Sequence, residues 1–347
     1  MKASSRCIRP IATAIACTLL ASLLPSLTAQ TTATTTPVGF MTINIPAAAN
    51  ASTPSNASMS IPLYNTADYV STVASLVSAT QFTMTGAAWT PGAYATAAAP
   101  RIVRVKASTA VPAHVGKYFV VSDNTANQLT VVLPFGVADI STAISVGDIC
   151  ELVPANTLGS VFGTTTPILH GDPDSTLADS VYILNGGAWE TYFHNGTNWR
   201  KFGGAGNKNN NIIYPDEGLF IVHVSTSPVV LTLMGTVPST GEQSDLLGNN
   251  ASTFLANRFP VDMQLVNTGL HLLPGWVTGA VDDADLVYVW DSAVSQWATY
   301  FHNGTNWRRS GASGNKNTDL IPSGTAVVVS RHAASTATLS QTLPYTP

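Results

Sequence analysis

Short apolar runs separated by turn residues dominate the chain. VYIL at 181–184, FIVHV at 220–224 and VYVW at 287–290 are β-branched and aromatic, and Gly, Pro, Asn or Asp bound them. That pattern predicts strands. Between 70 and 154 the same punctuation predicts five more, at 81–85, 101–106, 117–121, 128–133 and 148–153. Five short strands at this spacing form a small barrel or sandwich. No stretch carries the period of a long amphipathic helix.

Two hairpins stand out. Asn195-Gly196 and Asn303-Gly304 lie between aromatic runs, and Asn-Gly supplies the two positive φ angles of a type I′ turn. A two-residue loop sets His194 opposite Thr197, Tyr192 opposite Trp199 and Glu190 opposite Lys201. Those side chains then share one face, while Trp189, Phe193 and Phe202 share the other.

The hairpins belong to an internal repeat. YFHNGTNWR occupies 192–200 and again 300–308, and the match spreads outward: ADSVYIL at 178 with ADLVYVW at 284, GNKN at 206 with GNKN at 314. SIPLYNTADY at 60 resembles FPVDMQLVNTGL at 259. The expected fold is all-β: tandem β-sandwich-like repeat units with an inserted small β-barrel or sandwich module. The expected division is 30–69 and 155–240 for the first unit, 70–154 for the insert and 241–347 for the second unit.

The first 29 residues read as a signal peptide. Lys2, Arg6 and Arg9 precede a mostly apolar stretch from Ile11 to Leu27 that Pro25 interrupts, and Ala29 offers a small residue for cleavage. That stretch is shorter than the ~20 apolar residues of a spanning helix, and no later segment is apolar enough to be one. The expected location is secreted or at the cell surface, with the periplasm open. Without those three cations 12 Lys and Arg face 19 Asp and Glu, a net charge of −7, which argues against nucleic-acid partners. Beyond the signal only Cys150 remains, so no intramolecular disulfide can form. Cys150 lies in the apolar run ICELV and reads as an inert core thiol.

TTTPVGFMTINIPA at 34–47, NTLGSVFG at 156–163 and the paired hairpin units resemble an exported paralogous family of uncharacterised role from verrucomicrobia-type bacteria. The resemblance runs over nearly the whole mature chain. It implies export and a bacterial source, and it brings no catalytic residues.

Three features could carry chemistry. If the face bearing Tyr192, His194 and Trp199 is exposed, and likewise Tyr300, His302 and Trp307, each hairpin is an aromatic platform suited to sugars. The alternative is a hairpin buried on both faces, with its histidine hydrogen-bonded in place. Asp172, Asp174 and Asp179, and their counterparts Asp282, Asp283 and Asp285, could cluster around Ca²⁺, or cap local turns. GGAGNKN at 203 and GASGNKN at 311 lack the Gly-Lys-Ser/Thr ending of a phosphate loop and read as connections. Enzyme motifs such as His-Glu-x-x-His, Gly-x-Ser-x-Gly and Cys-x-x-Cys are absent from the sequence. The expected role is a structural or interaction protein, binding extracellular polysaccharide or other surface proteins. The alternatives are a carbohydrate-binding module and an enzyme on extracellular polymers.

Overall fold

In the computed structural model the described residues are 37–50, 52–95, 100–134 and 137–346. The signal peptide, its cleavage site and the Thr-rich start lie outside them. The strands in chain order are β1 (Val38–Ile45), β2 (Ser55–Met59), β3 (Tyr69–Ser78), β4 (Gln81–Met84), β5 (Arg101–Ala107), β6 (Tyr118–Asn124), β7 (Gln128–Val132), β8 (Ile149–Pro154), β9 (Ser180–Asn185), β10 (Ala188–His194) and β11 (Trp199–Lys201). They continue as β12 (Leu219–His223), β13 (Val229–Thr236), β14 (Glu242–Leu246), β15 (Ser252–Ala256), β16 (Met263–Gln264), β17 (Leu286–Asp291), β18 (Gln296–His302), β19 (Trp307–Arg309), β20 (Leu320–Ile321), β21 (Ala326–Ser330) and β22 (Ala337–Gln341). Among the described residues one short α-helix, α1 (Leu158–Phe162), follows the capping threonine Thr157.

Two five-stranded sheets share one plan. The first runs β11-β10-β9-β12-β2 and the second β19-β18-β17-β21-β15. Beside each lies a two-stranded ribbon, β1 with β13 and β14 with β22. Ribbon and sheet close over a core, as in a sandwich. In the first unit Ile43, Ile45, Leu231 and Leu233 of the ribbon meet Met59, Val181, Leu219 and Trp199 of the sheet. In the second unit Leu246 and Leu339 meet Val287, Val327 and Trp307.

Between β2 and β9 the chain makes a closed barrel, β3-β4-β7-β6-β5-β8, around Phe82, Val105, Phe119, Val121, Leu129 and Leu152. Its strands span residues 69–154. The sixth strand, which the sequence did not announce, is β3. YVSTVASLVS is too rich in Ser, Thr and Ala to stand out as an apolar run, and its register with β4 shifts twice, bending it around the barrel.

The outer faces of the two five-stranded sheets meet through aromatic rings. Phe220 stacks on Trp297 at 5.5 Å and abuts Trp290 at 5.0 Å, while Trp189 meets Phe254 at 5.6 Å. Backbone bonds join the sheets reciprocally: Ala256 N–H donates to Asp216 O and Ser60 N–H donates to Gly324 O. These are equivalent positions in the two units, so the contact has the form of a two-fold interface within one chain. The backbones approach so closely that a Cβ on Gly218 would fall 2.5 Å from that of Ala326.

Candidate functional site

Both hairpins depart from the expected turn. The loop has four residues, 195–198, and the register is His194 with Trp199 and Tyr192 with Lys201; the second hairpin repeats it as His302 with Trp307 and Tyr300 with Arg309. The reason is the asparagine. Asn195 Oδ1 accepts the N–H groups of Thr197 and Asn198, an Asx turn, and only Gly196 of the pair takes a positive φ, +89°. The slip is two residues, so the side chains keep their faces.

Which face is buried decides what the hairpins do. Tyr192, His194, Trp199, Tyr300, His302 and Trp307 all point into the cores, none more than 8% exposed. His194 Nε2 lies 2.6 Å from Thr164 O, and Trp199 Nε1 donates to Gly163 O at 2.8 Å. His302 instead stacks on His271 at 4.8 Å. Burial lowers the pKa of His271; burial, then the neighbouring His271, lowers that of His302. The exposed platform that sugar binding needs at these six residues is not formed.

The GNKN loops complete the hairpins. Asn209 Oδ1 accepts Trp199 N–H at 2.8 Å, and its amide donates to Asn198 Oδ1. Asn317 does the same for Trp307 and Asn306. The loop thus supplies the hydrogen bonds that a further strand would give.

The aspartates separate. Asp179 is buried and accepts the N–H groups of His170 and Val224 and the imidazole of His223. Asp285 is likewise buried, accepting from Val277 and His332. Asp174 is exposed and accepts from Thr176, which holds its carboxyl below the usual range. Asp172 accepts Asp174 N–H; Asp282 and Asp283 are exposed. Among the described residues no three His, Cys, Asp or Glu side chains converge to hold a metal. Cys150 is buried among the barrel's apolar side chains, its thiol pushed up by burial and then by Asp148 and Glu151.

A different charged cluster does form, where the barrel meets both units. Arg104 of β5 donates to Glu151 of β8 at 2.5 Å and to Glu242 of β14 at 2.6 Å. Arg258, just after β15, pairs with the other Glu242 oxygen and donates to Tyr64 Oη at 2.6 Å. Tyr64 Oη in turn donates to Glu242, and its ring lies 4.6 Å from the Arg104 guanidinium. All five groups are buried. The sequence carried a partial signal here, because Arg104 and Glu151 interrupt the apolar strands RIVRV and ICELV.

A second grouping surrounds a cleft of about 520 Å³ on the first sheet, with Glu190, Tyr192, Tyr214 and Glu217 on its walls. On the far side of the molecule's first ribbon, Val38, Phe40, Val230 and Met234 stand exposed on one face.

Compared with protein-family models, curated proteins and solved structures, the chain finds no match.

Proposed function

We propose that this protein is an exported bacterial interaction protein of the cell surface or extracellular space, a rigid β scaffold that presents a contact face to a protein partner. The basic-then-apolar start of the sequence supports export. The observation that carries the interaction reading is the outer face of the β1–β13 ribbon. Val38, Phe40, Val230 and Met234 are 55–77% exposed there, and Phe40 lies directly across from Met234. Apolar side chains gathered on one exposed face mark contact surfaces. The corresponding ribbon of the second unit is polar on that face, with Gln243, Asp245, Thr338 and Ser340, and Gln243 donates to Ala113 O and Val115 O of the barrel. The apolar face therefore belongs to the first ribbon alone.

The test is direct. The chain from Gln30 onward is assayed by sedimentation for self-association and by pull-down for binding to bacterial cells and their matrix. Binding should occur and fall at least about tenfold, ~1.4 kcal/mol, in Phe40→Asp/Met234→Asp. A strictly monomeric protein that binds neither cells nor matrix ends this reading.

A further inference from the structure

We infer that the cleft on the first sheet, between β9–β10 and the loop leading into β12, is a binding site for a neutral oligosaccharide. Its walls carry Asn185, Glu190, Tyr192, Asn211, Tyr214 and Glu217, together with Lys208. The volume of about 520 Å³ falls within the ~300–1,000 Å³ of small-molecule sites. The inference does not depend on the apolar ribbon face.

The chemistry of the walls selects the ligand class. Tyr192 Oη donates to Glu190 Oε2 at 2.6 Å, and Lys201 pairs with Glu190 Oε1 at 2.7 Å. Against the upward push of burial, these bonds hold Glu190 below the usual carboxylate range, so it remains an acceptor. Glu217 is different. Its carboxylate accepts Tyr214 N–H at 3.3 Å. Burial pushes its pKa up to about 8; that N–H opposes the shift, while Asp216 and then Glu190 add to it. At neutral pH Glu217 is a hydroxyl donor facing an ionised acceptor. Two carboxyls driven apart in this way offer opposite halves of the hydrogen-bonding that sugar hydroxyls, each both donor and acceptor, can use. Amides of Asn185 and Asn211 extend the set. Tyr214 is 40% exposed, leaving ring area for the C–H face of a pyranose. Lys201 offsets Glu190, the protonated Glu217 adds no charge, and Asp216 beside it opposes the charge of Lys208, so the site favours neither a strong anion nor a strong cation.

An independent observation comes from the second unit. There the hairpin sequence is identical from Tyr300 to Arg308, and the sheet has the same order. Yet Ala298 stands where Glu190 stands, Thr325 for Glu217, Pro322 for Tyr214 and Asp319 for Asn211. Tyr300 Oη donates to Asp319 at 3.0 Å instead. The fold does not require the cleft groups, since its second copy forms without them.

The experiment titrates the chain from Gln30 onward calorimetrically with cello-, xylo-, manno-, malto- and laminari-tetraose. At least one should give saturable binding, weakened at least about tenfold, ~1.4 kcal/mol, by Tyr214→Ala and by Glu190→Ala, with thermal unfolding confirming that each variant is folded. The groups facing Glu217 are Asp216, Glu190, Tyr118, Tyr192, Tyr214 and Lys208. Because only the protonated form donates, affinity should hold from pH 5 to 7 and fall about tenfold by pH 9, in proportion to the competent fraction. Glu217→Gln, which donates at every pH, should bind without that fall. Phe40→Asp/Met234→Asp should leave sugar binding unchanged, which separates this site from the protein-contact face. No binding to any of the five sugars, or binding that survives both alanine variants, overturns the inference.

Discussion

Trp199 and Trp307 fill equivalent places in the two cores and are both fully buried, yet they differ by one hydrogen bond. Trp199 Nε1 donates to Gly163 O, while Trp307 Nε1 has no hydrogen-bond partner among the described residues. A buried donor left unpaired costs about 1–3 kcal/mol. Replacing each indole by phenyl removes similar apolar volume from both cores. Trp199→Phe should therefore destabilise the protein by about 1 kcal/mol more than Trp307→Phe, measured by denaturant unfolding; equal losses would refute the difference. Glu217 gives a second expectation at this scale. Its carboxyl is raised in the folded chain, up to about 8, so the protonated form contributes stability that is complete below the unfolded value of ~4.3 and lost as pH rises through about 8. The stability of Glu217→Gln relative to the native chain should thus rise between pH 5 and pH 9. A difference independent of pH would count against a raised Glu217.

At the scale of elements, the repeated motif is a clasp. The hairpin places an indole in the core, and the GNKN loop returns to satisfy its backbone: Asn209 Oδ1 accepts Trp199 N–H, and Trp199 O accepts from Lys208 N–H. This explains why the hairpin and the distant GNKN recur together at the same spacing in both units. Asn209→Ala should cost about 1–3 kcal/mol, because it orphans a buried N–H. Asn317→Ala should cost the same in the second unit, and the two should add, since the clasps share no partner. Native-state hydrogen exchange at Trp199 and Trp307 would report each clasp separately. The sequence showed the apolar strands VYIL and VYVW plainly, because β-branched and aromatic residues mark them. It hid β2, SNASM, and β3, whose small polar residues pair through their backbones without an apolar run.

For the whole molecule, the buried Arg104–Glu242–Arg258 cluster joins the barrel to the second unit across 138 residues of sequence. Tyr64 brings in the first unit. Removing one partner of such a pair is far costlier than the pair is worth, because a charge is left buried alone. Glu242→Leu should cost about 3–5 kcal/mol, while Lys201→Ala, which breaks a partly exposed pair, should cost no more than ~1 kcal/mol. Arg104→Met/Glu151→Gln/Glu242→Leu/Arg258→Met should recover much of the loss, since it removes every charge of the buried cluster together, Glu151 included. Thermal unfolding of the three variants checks the order. A Glu242→Leu chain as stable as the native one would show that the cluster does not hold the parts together.

By itself the sequence determined the local features: an all-β chain, the repeated hairpin, and which residues share a face with Tyr192. Those follow from alternation, a property of neighbours along a strand. Only the tertiary structure decided that the Tyr192, His194 and Trp199 face is the buried one, because the ribbon and α1 that cover it come from distant segments. It also set the hairpin register through the side chain of Asn195, and brought Glu190 and Glu217 to one cleft and two arginines to one glutamate. Burial and convergence are properties of packing, and residues far apart in the chain acquire them only when the sheets close.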